Sequence, residues 1–67
     1  KWRKFRRLYI VDNPLCEECK RNGKVTEGKD IDHITPIRFG GEPFDFDNLQ
    51  TLCKTCHNKK SGREAHQ

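Results

Sequence analysis

No stretch of the 67-residue sequence stays apolar for the roughly 18 residues that a membrane-crossing helix needs. The opening KWRKFRRLYI also lacks the apolar core of a secretory signal, so the chain reads as cytoplasmic, with no membrane partner. Apolar residues are scarce throughout: 31% of the chain is hydrophobic, 36% is charged and the mean hydropathy is -1.07. So short a chain with so little to bury cannot offset its conformational entropy through a core alone, and a cross-link is required. Disorder is the other outcome of such a composition, but one Trp, one Tyr, four Phe and regularly placed aliphatics support a small ordered core. No repeat, linker or second domain interrupts residues 1–67.

The cross-link is visible in the cysteines. Cys16 and Cys19, then Cys53 and Cys56, give Cys-x2-Cys twice, a spacing that lets each tight turn offer two sulfurs to one tetrahedral ion. Disulfides are the alternative, but in a reducing compartment such pairs more often hold metal. Four thiolates leave no open coordination position, so a zinc here is structural. The insert from residue 20 to residue 52 exceeds the roughly 15–20 residues of the common zinc-ribbon spacing and must carry structure of its own.

The formal net charge is +4, and a four-thiolate zinc centre would lower it, so distribution matters more than the total. Lys1, Arg3, Lys4, Arg6 and Arg7 fall together without an acid, and Lys54, Lys59, Lys60 and Arg63 form a second block. Either block alone can be a solvated helix face; together they suggest a polyanion partner. Trp2, Phe5, Leu8 and Tyr9 recur at helical spacing, so residues 1–11 read as a basic amphipathic helix, stopped by DNP at 12–14 and packed on the zinc unit. A dimer contact is the other use of that stripe, and a monomer or weak dimer is expected. DIDHI reads as a strand ending near His33, and residues 35–47 as an ordered loop pinned by Ile37, Phe39, Phe44 and Phe46. NLQTLC alternates less cleanly than a strand should, and KTCHNKKSGRE favours a helix ending at Gly62, with residues 63–67, including His66, as a tail.

Asp32, His33, Asn48 and His57 remain as polar residues that the cysteine site does not explain. Alone, Asp32–His33 is a common surface pair, Asn48 a turn residue and His57 an alternate zinc ligand or helix-start residue. In order, however, DHITPIRFGGEPFDFDNLQTLCKTCHNKK resembles the HNH nuclease motif: an acid–His pair, a Gly-Gly loop, Asn in DNLQ and a final His directly after Cys-x2-Cys. The likeness spans residues 16–60, with the cysteine pairs placed as in the four-cysteine branch, and KWRKFRRLYIVDNPLC is similar to the helix preceding the motif in phage-type members.

The resemblance implies an α+β fold: a small ββα-metal unit stapled by a four-cysteine zinc site, with an N-terminal amphipathic helix. It implies a metal-dependent endonuclease that hydrolyses DNA to 3'-hydroxyl and 5'-phosphate ends. Successive strand residues point to opposite sides, so Asp32 and His33 need different tasks. Asp32 and His57 would hold Mg2+ or Mn2+, or another divalent transition metal, and His33 would be the general base. Asn48 would tie the long loop to the strand carrying His33, while Arg38, Lys59, Lys60 and Arg63 would meet phosphates. A phage terminase or another DNA-processing protein is the partner that the resemblance raises. A noncatalytic zinc module that binds nucleic acid explains the cysteines and basic blocks, but not the ordered Asp, His, Asn and His; a protein-interaction zinc domain leaves the basic blocks unused as well.

Overall fold

In a computed structural model, which describes residues 1–65, the elements run α1 (Trp2–Asp12), α2 (Glu17–Arg21), β1 (Asp30–His33), β2 (Leu49–Leu52) and α3 (Lys54–Ala65). Single 3-10 turns at Ile37–Phe39 and Phe46–Asn48 punctuate the loop between the strands. No helix is long and apolar enough to cross a membrane among the described residues.

β1 and β2 pair antiparallel in the register Asp30 with Leu52, Ile31 with Thr51, Asp32 with Gln50 and His33 with Leu49. All four residues of β2 are buried, because α3 and the cysteine turns cover one face while the end of α1 and Gly28 reach the other. A strand buried on both faces has no reason to alternate, which is why NLQTLC gives such a weak strand signal. Extents of 30 × 30 × 16 Å leave few residues far from water, and only Cys16, Leu49 and Leu52 form the buried apolar centre among the described residues.

The segment from Pro14 to Gly28 folds back on itself. Cys16 N–H donates to the Thr26 carbonyl and Gly28 N–H to the Pro14 carbonyl, each over 2.8 Å. Gly28 is buried there, and a Cβ on it would collide with the Thr51 methyl. Thr51 Oγ1 in turn donates to the Asn13 carbonyl, which joins the end of α1 to the strand.

Sequence expectations need correcting in two places, at α1 with the loop it covers and at the end of α3. The stripe on α1 packs on the interstrand loop and on β1, not on the cysteine unit: Phe5 stacks on Phe46 with centroids 4.6 Å apart and meets Phe44 edge-on at 5.3 Å. Tyr9 Oη donates to the Leu49 carbonyl over 3.0 Å, while Leu8 is left exposed. The loop is therefore held by Phe44 and Phe46, whereas Ile37 and Phe39 stay more than half exposed. Secondly, α3 does not stop at Gly62. Lys60 pairs with Glu64 one turn on, and Arg38 donates to the Glu64 carbonyl over 2.6 Å, so the last turn has partners for groups that would otherwise fray. Residues 63–65 are helical, and His66, expected in a tail, lies outside the described residues.

Candidate active site

Both cysteine pairs sit at the start of a helix. Cys16 caps α2, with its Sγ accepting from Cys19 N–H, and Cys53 precedes α3. All four Sγ atoms lie within 4.8 Å of one another, with Cys19 Sγ 3.9 Å from Cys53 Sγ and 3.8 Å from Cys56 Sγ. Zinc–sulfur bonds of about 2.3 Å put tetrahedral sulfurs about 3.8 Å apart, so the set fits one zinc-sized ion. Charge points the same way. Burial opposes a thiolate at Cys16, but the N–H groups of Cys19 and Cys53 and the neighbouring thiols outweigh it and lower its pKa to about 7. Burial, then the same crowd of sulfurs, pushes Cys56 up to about 12. Sulfurs so close together cannot all ionise cheaply unless a dication sits among them.

Strand alternation sorts the second group of residues. Asp30 and Asp32 share one face of β1 and meet α3, where His57 and Lys60 lie one turn apart. His33 points the other way, onto α1: its ring stacks on Trp2 with centroids 5.0 Å apart and planes 24° apart. The two sides meet at the strand end, where Trp2, Asp32, His33, Pro43, Phe44 and His57 line a cleft of about 440 Å³. His33 Nε2 lies 3.1 Å from the Pro43 carbonyl. A carbonyl only accepts, so Nε2 carries the proton, and in the neutral ring Nδ1 keeps its lone pair.

The loop that delivers Pro43 is fastened by Asn48. Its Oδ1 accepts from Thr35 N–H over 2.9 Å, and its Nδ2 donates to the carbonyls of Thr35 and Glu42 over 3.1 and 3.0 Å. The Gly-Gly pair makes this approach feasible: Gly40 has φ +89°, and a Cβ on Gly41 would run into the Thr35 carbonyl and crowd Asn48 Nδ2.

The four cations placed on phosphate by the sequence reading separate in space. Lys60 turns inward: its ammonium is 3.0 Å from Asp32 Oδ2, 3.1 Å from the His33 carbonyl and in contact with Glu64, at 14% side-chain exposure. Burial works against that charge, but the Glu64 and Asp32 carboxylates outweigh it and hold the Lys60 pKa above the ordinary lysine value. Arg38 lies over the Phe39 ring and bonds α3. Lys59 and Arg63 remain exposed beside the cysteine knuckle. Sequence reading missed Asp30, whose Oδ2 is 3.9 Å from His57 Nδ1, and also Trp2 and Pro43 at the cleft and Gln50 beneath Asp32. The period-2 pattern of DIDH was a signal for Asp30; the others have no local signal.

A family model described as HNH endonuclease matches residues 16–63. The chain belongs to the HNH endonuclease family. The HNH endonuclease of the deep-sea thermophilic bacteriophage GVE2, crystallised with a manganese ion, has the same fold, with a TM-score of 0.84 and 36% identity over 97% of this chain and 73% of its own. A shorter likeness links this HNH chain to the DNA annealing helicase and endonuclease ZRANB3: 49% identity with the Homo sapiens protein and 46% with that of Bos taurus, each over 35 residues. Those residues are 52% of this chain and only 3% of either relative. The expected small α+β HNH fold, with its two-stranded sheet and gathered cysteines, is thus the one observed.

Proposed function

We propose that this domain is a metal-dependent endonuclease that hydrolyses phosphodiester bonds in DNA, with His33 as general base. The observation that carries the reading is the clamping of His33 between the Trp2 ring and the Pro43 carbonyl, in one cleft with Asp32 and His57. Nε2–H donated to Pro43 fixes the ring and leaves Nδ1 to take the proton from an attacking water. Asp32 and His57 offer one hard oxygen and one imidazole nitrogen, which suits Mn2+ or Mg2+ with the remaining positions open to water and phosphate. When bound, that cation stabilises charge on the phosphate and on the leaving 3'-oxygen. The manganese in the GVE2 relative and the DNA-directed activities named for the ZRANB3 relatives support this choice of metal class and substrate.

Asn48 acts without titrating: it sets the loop from which Pro43 reaches His33. Lys59 and Arg63, exposed on α3, are our candidates for phosphate contacts, and Lys60 is not, because it would first have to leave Asp32 and Glu64. Zinc at the four cysteines holds α2 against the strand–helix unit and takes no part in the chemistry. Targeting to particular DNA falls to a partner, such as a phage terminase, since so small a domain has little surface for reading bases.

Supercoiled plasmid incubated with zinc-loaded protein tests the reading. Nicking is expected with added Mn2+ or Mg2+ and not without. His33→Ala is expected to lose about 10²-fold or more of the cleavage rate while still binding Mn2+. A well-folded His33→Ala protein that cleaves at the parent rate removes His33 as the base; a parent that binds DNA but never cleaves it leaves a zinc-stapled binding module.

A further inference from the structure

Asp32 makes both of its side-chain contacts through a single oxygen. Gln50 Nε2 donates to Oδ2 over 3.1 Å, and Lys60 Nζ lies 3.0 Å from the same atom. Among the described residues Oδ1 has no hydrogen-bond partner, and no buried side-chain oxygen is without one, so Oδ1 is in contact with solvent. Asp32 lines the cleft together with His57.

We propose that Gln50, together with Lys60, is a positioning residue that pins Asp32 Oδ2 and thereby presents Oδ1 as a one-oxygen ligand for the divalent cation. The proposal rests on the assignment of Asp32 as a metal ligand made above. Three features single out Gln50. It is the direct cross-strand partner of Asp32, so the register itself sets the contact. It is 8% exposed in a strand whose other members include the buried Leu49 and Leu52, a place where an amide costs free energy unless it is bonded. Finally, it is neutral, so it can orient a carboxylate without repelling a dication.

A free carboxylate rotates about its last torsion and can turn both oxygens toward one ion, or turn wholly to Lys60. With Oδ2 bonded to the Gln50 amide and paired with the Lys60 ammonium, which the His33 carbonyl also holds, turning of the carboxylate is opposed and Oδ1 is left as the oxygen available to the cation. Mg2+ and Mn2+ want near-octahedral geometry with several waters, which a single oxygen at a fixed angle accommodates and a flexible bidentate group does not. Partners of this kind typically change metal affinity by 10- to 100-fold.

Mn2+ binding to the zinc-loaded protein, followed by the spin-resonance signal of free Mn2+ without DNA, tests this. Gln50→Leu is expected to bind Mn2+ about 10- to 100-fold more weakly than the parent, with zinc content and melting temperature kept. Should the Leu variant lose its melting transition, Gln50→Met keeps the side-chain length and removes only the amide. In an Asp32→Ala background the Gln50 substitution should change nothing further, because its effect runs through Asp32. Unchanged Mn2+ affinity in a folded Gln50 variant overturns the positioning role and leaves the nuclease reading standing. An equal loss with and without Asp32 also overturns it. A parent that binds no Mn2+ removes the metal assignment itself, and this proposal with it.

Discussion

The cysteine knuckle and the His33 cleft are opposite kinds of site within one small chain. The knuckle gathers four identical soft donors from two tight turns, all within 4.8 Å, which leaves a tetrahedral ion no free position. The cleft gathers unlike groups: a carboxylate and an imidazole from one strand end, a second imidazole from α3, an aromatic ring from α1 and a carbonyl from the loop. A closed set of equal donors can only hold. An open set of unequal ones can bind, orient and exchange protons, which is what hydrolysis needs.

The contrast predicts that damage at the two places differs in kind. The largest effect should follow loss of the knuckle. Structural zinc contributes an apparent free energy of about 10–16 kcal/mol in small domains, more than the three apolar residues buried among those described can replace. Cys16→Ser, or removal of zinc by a strong chelator, should abolish the cooperative melting transition seen by circular dichroism. A sharp transition in zinc-free protein would break the comparison, since the knuckle would then be no staple.

Next in size is the loop clamp, which belongs to the cleft but acts through stability. Asn48→Ala removes three hydrogen bonds to Thr35 and Glu42 and should cost about 1–3 kcal/mol by thermal or urea melting. Cleavage should fall with it, because Pro43 would no longer be held against His33. A variant with parent stability and activity would show that the aromatic contacts of Phe44 and Phe46 suffice to place the loop.

The smallest effect is expected at Trp2, where stacking on His33 is worth about 0.5–1.5 kcal/mol beyond its area. Trp2→Ala should lower the cleavage rate constant about tenfold with little change in KM, and Trp2→Phe should restore most of it. Equal losses in the Ala and Phe variants would mean that stacking of the ring does not position His33.

Much of this was legible in the chain because it depends on near neighbours. Cys-x2-Cys puts two sulfurs on one turn whatever surrounds it, the spacing of Trp2, Phe5 and Tyr9 makes one helix face, and the strand ends at His33, shortly before the bend that leads into Pro36. The order of Asp32, His33, Asn48 and His57 carried the family. The second strand was legible through the family order more than through its own pattern, because β2 is covered on both faces and has no reason to alternate. The end expected for α3 at Gly62 failed because Lys60 and Arg38 support a further turn.

The sequence by itself determined the residue set, the local turns and the separation of Asp32 from His33 to opposite sides of one strand, since each follows from bond geometry within a few residues. Only the tertiary structure decided what those sides face. Packing of α3 on β1 sent Lys60 inward to Asp32, the register set Gln50 beneath it, and the docking of α1 brought Trp2 onto His33. Such contacts join positions far apart in the chain, and their partners are selected by which surfaces can be buried together and which charges can be paired there; no spacing rule reaches that far.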